Sequence, residues 1–227
     1  MNVLVCLRTT ARSAPELLDG ADARALAHAL ALRGAGHALT ALYVASDADA
    51  APVAARLAPH VDRAVRVVGE ELAAADFHTV GQMLAMAIRR LGADVVLAPI
   101  QGEEECASGT PAAIARHLGA HYVPFVEEIT ALDDTHVEVV VRGGGRKRQL
   151  RVAFPAVLGT APGAATLPAV AEDAGAAPPT VETIGLGDPE ATVVRRRTEL
   201  LGRPETASRG TQTVTSAAAL IAALKRA

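Results

Sequence analysis

Tryptophan is absent from the 227-residue chain, and the remaining aromatics are only two tyrosines and three phenylalanines. Tyr43, Phe77, Tyr122, Phe125 and Phe154 lie too far apart in sequence to form a stacking platform for nucleobases or an aromatic sandwich around a flavin ring. Cysteine is almost as scarce. Cys6 and Cys106 lack the paired spacing of a zinc, haem or iron–sulfur site, and a reducing, cytoplasmic setting is expected. No apolar run approaches the roughly 20 residues that span a bilayer. The N-terminus enters strand-like residues at once, so neither membrane insertion nor a signal peptide is expected. Basic charge is not in excess either: Lys and Arg number 22 against 25 Asp and Glu, giving a formal charge of −3. That balance offers nucleic acid no general attraction, and the clusters Arg146-Lys147-Arg148 and Arg195-Arg196-Arg197 read as solvated strand and turn charges. The seven histidines are dispersed, and neither a Ser-His-Asp arrangement nor an H-E-x-x-H string is found.

Apolar residues, by contrast, make up 50% of the chain, ample for the core of one large domain with a small appendage. Their spacing alternates in kind. Asn2 to Leu7, Leu39 to Val44, Ala64 to Val68 and Val95 to Ala98 read as buried strands. Helices are expected over Asp22 to Arg33, Ala48 to Ala58 and Asp76 to Leu91, and again behind a Thr110 N-cap with Pro111 as the first helical residue. Strands alternating with helices of this length pair in parallel through right-handed crossovers. The fold class is therefore α/β, an open, mostly parallel twisted sheet with helices on both faces, Rossmann-like, and the resemblance given below implies the adenine-nucleotide-binding type of it. From about 123 to 154 the pattern changes to successive strands with turns at Asp133-Asp134 and Gly143-Gly144-Gly145, an antiparallel insert, after which Pro155 to Thr160 returns to the main sheet. Residues 1–160 thus form the α/β domain. Residues 161–227, rich in Pro and Gly, form an arm with a possible strand at Thr192 to Arg196 and a final amphipathic helix from Ser216 to Lys225.

The strongest candidate site is the loop Gln101-Gly102-Glu103-Glu104-Glu105-Cys106-Ala107-Ser108-Gly109-Thr110 between the fourth strand and its helix. Small side chains there let main-chain N–H groups approach a ligand, and the helix start adds unpaired N–H groups and a positive dipole end, a setting for phosphate rather than metal. An ordinary polar strand-to-helix connection would read the same way.

The order of several strings resembles the β subunit of electron transfer flavoproteins over nearly the whole chain. These strings are Asn2-Val3-Leu4-Val5-Cys6-Leu7-Arg8, Gly92-Ala93-Asp94-Val95-Val96-Leu97 with Gln101 and the acidic loop, Pro155-Ala156-Val157, Ala165-Thr166-Leu167-Pro168, and Arg209-Gly210-Thr211. The resemblance implies an electron carrier without catalytic residues of its own. It would pair with an α subunit that holds most of a shared FAD, receive electrons from a flavin dehydrogenase, and carry AMP, or a second FAD in bifurcating relatives, in its own site. By position the family's phosphate loop falls on Gly102 to Ala113, with Gly102, Glu103, Cys106 and Ala107 in it and Ser108, Gly109 and Thr110 nearest the phosphate. The remaining walls come from Cys6, Val44 and the Asp19 to Asp22 turn, and Leu167 falls where the family presents a leucine to its dehydrogenase.

The chain departs from the family in several places. Asp19-Gly20-Ala21 replaces an Asn-Pro-Phe string, Ser108 and Gly109 replace an asparagine and a glutamine, Ala171-Glu172-Asp173-Ala174-Gly175 replaces a lysine-rich stretch, and Arg148 replaces an acid. The phosphate loop must then rely on backbone and hydroxyl groups, and the altered surface charges imply a dedicated partner. Two other readings remain open at this point. One is a stand-alone adenine-nucleotide regulator of the universal stress type. The other, an ATP-cleaving ligase or pyrophosphatase, is disfavoured because Arg8-Thr9-Thr10-Ala11-Arg12-Ser13 lacks the glycines of a pyrophosphate loop.

Overall fold

The computed structural model describes residues 1–8, 20–44, 47–68, 76–101, 109–163 and 181–185, together with 216, 217 and 221. Its elements are β1 (Asn2–Arg8), α1 (Gly20–Gly34), β2 (Ala38–Val44), α2 (Asp47–Leu57), β3 (Arg63–Val68), α3 (Phe77–Leu91), β4 (Val95–Pro99) and α4 (Thr110–Leu118), then β5 (His121–Leu132), β6 (His136–Gly143), β7 (Arg146–Ala153), β8 (Ala156–Thr160) and β9 (Val181–Gly185). All nine strands form one sheet in the order β7-β6-β5-β8-β4-β1-β2-β3-β9, parallel from β5 through β9, with β6 and β7 antiparallel at one end. The expected fold class holds.

The two faces follow from strand alternation. Val3, Val5 and Leu7 of β1 pack with Leu39, Ala41 and Tyr43 of β2 and Val95 and Leu97 of β4 beneath Leu26 and Ala29 of α1 and Val53 and Leu57 of α2. Leu4 and Cys6, with Leu42, Val96 and Ala98, face the other way onto Leu84 and Ile88 of α3 and Ile114 and Ala115 of α4. Each central strand is buried on both sides, which is why these segments read as continuous apolar runs. β8 is the extreme case, buried at every position.

The antiparallel insert owes its register to two turns. Gly144 and Gly145 take positive φ values of 58° and 73° between Gly143 and its partner Arg146, the geometry of a two-residue hairpin turn that only glycine adopts without strain. At the other turn the Asp133 carboxylate accepts from the N–H groups of Thr135 and His136, both at 2.8 Å, and these bonds hold its carboxyl well below the usual carboxylate range.

One strand was not foreseen. β9 adds to β3 in parallel with only Ile184 buried, and Arg63 pairs with Glu182 across it. Its Val-Glu-Thr-Ile-Gly sequence lacks a continuous apolar run because an edge strand needs to cover only one face. The expected strand at Thr192 to Arg196 lies outside the described residues. Of the final helix only Ser216, Ala217 and Ile221 are described, with Ala217 and Ile221 helical and Ile221 exposed.

Tyr43 is fully buried, and its hydroxyl has no hydrogen-bond partner among the described residues. Burial raises its pKa, with Arg66 opposing. An unpaired buried hydroxyl costs about 1–3 kcal/mol in desolvation. Tyr43→Phe is therefore expected to leave stability unchanged or raise it by up to about 2 kcal/mol, read as a rise in the urea midpoint; a fall of more than about 1 kcal/mol would show that the hydroxyl is bonded.

Candidate functional site

The sheet winds in both directions from β1. The crossover through α1 carries the chain from β1 to β2 and on to β3, and the crossover through α3 brings it back past β1 to β4. The winding thus reverses between β1 and β4, and in open α/β sheets ligands occupy the crevice outside the carboxyl ends at such a point. Register brings those ends together: Val5 lies beside Leu97, Cys6 beside Leu42, and Arg8 beside Val44.

The floor next to this crevice is fixed by β8. Ile100 donates its backbone N–H to Thr160 at 3.3 Å, and the Thr160 hydroxyl lies 3.5 Å from the Ala98 carbonyl. A Cβ on Gly159 would come within 2.7 Å of the Ile100 side chain and 3.1 Å of the Tyr122 hydroxyl, so only glycine lets Ile100 fold beneath the strand end. The chain therefore leaves β4 in one direction.

On the far side of the loop, α4 begins one residue earlier than the sequence suggests. Thr110 is its first helical residue, and Gly109, with φ −86° and ψ −27°, occupies the cap position without any side-chain cap hydrogen bond. Thr110 is thus not the cap. The Phe77 ring sits where a Cβ of Gly109 would be, so ring and backbone meet directly and the position takes only glycine. Pro111 supplies no N–H of its own. The C-terminal end is closed by contrast, with Gly119 left-handed at φ 68° and the Ala120 N–H bonded to the Ala115 carbonyl at 3.0 Å. The N-terminal pole of α4 therefore presents main-chain donors to which its own cap residue brings no side-chain acceptor, a setting that suits an anion.

α3 holds α4 in place. Asp76 caps α3 by accepting from the Thr79 N–H at 2.8 Å, and Gly81 lies against α4 so closely that a Cβ there would stand 2.5 Å from Cβ of Ala113 and 3.1 Å from the Thr110 carbonyl oxygen. Neither Phe77 nor Gly81 stood out in the sequence. The only available signal was an aromatic directly behind a capping aspartate and a glycine inside an otherwise strong helical pattern.

Of the residues expected at the site, Cys6, Asp22, Val44, Gly109 and Thr110 are described. Cys6 is buried in the core under α3 and α4, and burial first, with the Asp22 charge second, pushes its thiol far up, which favours the neutral form. Asp22 is fully buried in the first turn of α1, where the helix dipole favours a carboxylate. Val44 ends β2 and is half-buried. Asp19, Gly102, Glu103, Cys106, Ala107, Ser108 and the docking leucine Leu167 lie outside the described residues. Among the described residues, no group of three His, Cys, Asp or Glu side chains could hold a metal ion, and no helix is long and apolar enough to cross a membrane.

A family model described as the electron transfer flavoprotein domain matches residues 8–188. The chain belongs to the electron transfer flavoprotein family. A comparison with individually curated proteins gives no match. Members of this family are electron carriers rather than enzymes, and the match does not favour the stand-alone regulator of the universal stress type.

Proposed function

We propose that the chain is the β-type subunit of a two-chain electron transfer flavoprotein, acting in the cytoplasm and carrying an adenine nucleotide at the carboxyl ends of β1, β2 and β4. The observation that supports this reading is the N-terminus of α4, whose glycine cap brings no side-chain acceptor, beside the point where the sheet reverses, in a chain of this family. The nucleotide is AMP or the adenylate end of a second FAD. Its phosphate is taken by main-chain N–H groups from Gly102 to Thr110, with the Ser108 and Thr110 hydroxyls supplementing them. Cys6, Val44 and the Asp19 to Asp22 turn wall the remainder.

The FAD itself is held chiefly by the companion α subunit, and when bound it supplies the redox chemistry. This chain contributes a rigid platform and a docking segment around Leu167 for the flavin dehydrogenase that donates electrons. Residues 1–160 form the platform and 161–227 the docking arm. No residue of the chain is required to transfer a proton or form a covalent bond.

Co-expression of the full chain with the companion polypeptide is expected to give a yellow complex containing both subunits, with flavin released on denaturation and adenylate recovered separately. A colourless complex of the two would overturn the reading, and a yellow preparation of the single chain would overturn the division of labour between the subunits.

A further inference from the structure

At the amino ends of β2 and β3, the pole of the sheet opposite the crevice, one short link fastens several elements together. His60-Val61-Asp62 runs from α2 into β3. The His60 N–H donates to the Leu57 carbonyl of α2 at 2.9 Å, and the Asp62 N–H donates to the Leu39 carbonyl of β2 at 3.0 Å. Arg33, in the last turn of α1, donates to the His60 carbonyl at 3.1 Å and to Asp62 Oδ1 at 3.0 Å, while Asp62 Oδ2 accepts from the Leu39 N–H at 2.8 Å. Thus α1, α2 and β2 are all held to the start of β3 through this link.

The imidazole in the link is closed in. His60 is 4% exposed, and its Nε2 is shut off from solvent without a hydrogen-bond partner among the described residues. A neutral ring tolerates such a place, and a charged one does not. The charges that act on it are both positive, Arg33 from α1 and Arg56 from the last turn of α2. The one carboxylate of the link, Asp62, is engaged by Arg33 and by the Leu39 N–H, and at the start of β3 Arg63 is engaged by Glu182 of β9. Burial first, then Arg56 and Arg33, holds the His60 pKa below the usual histidine range.

We propose that the His60-Val61-Asp62 link is an acid-released latch, in which a proton on His60 detaches α2 and the start of β3 from the amino pole of the sheet while the carboxyl pole stays closed. Histidine is the side chain whose charge changes in mild acid, and here the added charge meets two guanidinium groups and no solvent. The opened link takes up its proton at about pH 6.5, as an exposed histidine does. The closed link does not. The advantage of the closed state is therefore complete above about pH 6.5 and falls as the pH drops below it, by up to about tenfold in the opening equilibrium per pH unit, until the folded pKa is passed. The effect is local because the bonds at stake are the few that the link makes, and segments held by few bonds open before the whole chain unfolds. His28 of α1 also has its pKa lowered, by burial first and Arg24 second with Glu128 opposing, but it makes none of the bonds of the latch.

The test is amide hydrogen exchange of the full chain at about pH 7 and about pH 5.5, corrected for the intrinsic effect of pH on exchange. In the wild type the opening equilibrium at the His60 and Asp62 amides is expected to rise by about tenfold in acid, and that at the Met83 and Leu84 amides of α3 by much less. In His60→Gln, which has no proton to take up, the acid effect at the link is expected to shrink below about twofold. Arg56→Glu, at an exposed position, offers the imidazolium a carboxylate and is expected to shrink it likewise, which keeps the test open should the buried substitution fail to fold. Melting curves at neutral pH check that each variant is folded, and His28→Gln is expected to leave the acid effect at the link in place. An undiminished acid effect in the folded His60 and Arg56 variants overturns the latch. A rise of equal size at the link and in α3 of the wild type overturns it too, since acid would then loosen the whole chain.

Discussion

Gly81→Leu is expected to destabilise the chain by more than about 3 kcal/mol, and Gly81→Ala by about 1–2 kcal/mol, although alanine is the better helix former. On propensity alone Gly81→Ala would gain up to about 1 kcal/mol in a helix interior. The opposing term is larger. The added carbon would stand 2.5 Å from Cβ of Ala113, 3.1 Å from the Thr110 carbonyl oxygen and 3.2 Å from the Ile114 nitrogen, and two of these three close neighbours are backbone atoms of α4 that cannot swing aside. Relief requires α3 and α4 to separate, which opens the core of Leu84, Ile88, Ile114 and Ala115.

The steric origin is checked by a second substitution. Ala113→Gly removes the nearest atom, so the Gly81→Ala, Ala113→Gly double variant is expected to recover part of the loss, with a coupling of about 1 kcal/mol in a double-mutant cycle. Urea midpoints read both effects. Gly81→Ala at wild-type stability, or a coupling of zero, would mean that the helices have slack at this crossing. Because α4 carries the proposed anion-binding pole, the same wedge is expected to weaken nucleotide binding in step with the loss of stability.

The architecture was legible in the sequence because its central strands are buried on two sides. Continuous runs such as Val95 to Ala98 have few alternatives once helices of regular period lie between them. The hairpin at Gly144 and Gly145 was equally plain, since two successive left-handed residues demand that chemistry. β9 was hidden for the opposite reason. An edge strand with one buried residue needs no apolar run, and its place beside β3 is set by tertiary pairing and by Arg63 reaching Glu182. Beside the candidate site, α4 could be read from Pro111 at its start, while most of the loop before it lies outside the described residues. The cap could not. Gly109 rather than Thr110 caps α4, and the Phe77 ring that bars a side chain at Gly109 is 32 positions earlier in the chain and meets it only after α3 and α4 pack. Cys6 was expected at a wall, and its wall faces the core beneath α3 and α4, a distinction that strand alternation alone leaves open until the helices are assigned to faces.

Adenylate at about 100 times its dissociation constant is expected to stabilise the folded chain by about 2.7 kcal/mol, a rise in melting temperature of roughly 5–11 °C for a chain of this size. The physical source is the open pole of α4. Main-chain N–H groups behind a glycine cap that brings no side-chain acceptor offer a phosphate fixed donors at the positive end of a helix, so most of the discrimination should reside in the anion and little in the base. Adenosine is therefore expected to give a much smaller shift than AMP at equal concentration. Ser108→Asp tests the location, because it places a carboxylate among the proposed donors, where it would both occupy them and repel the incoming phosphate. In that variant the AMP shift should vanish while the melting temperature without nucleotide stays near that of the wild type or rises, since the new carboxylate lies close to a helix start. Equal shifts from adenosine and AMP would move the recognition to the adenine wall formed by Cys6, Val44 and the turn before Asp22. An undiminished AMP shift in Ser108→Asp would remove the phosphate from this loop altogether, and the nucleotide, if bound, would have to be held elsewhere on the sheet.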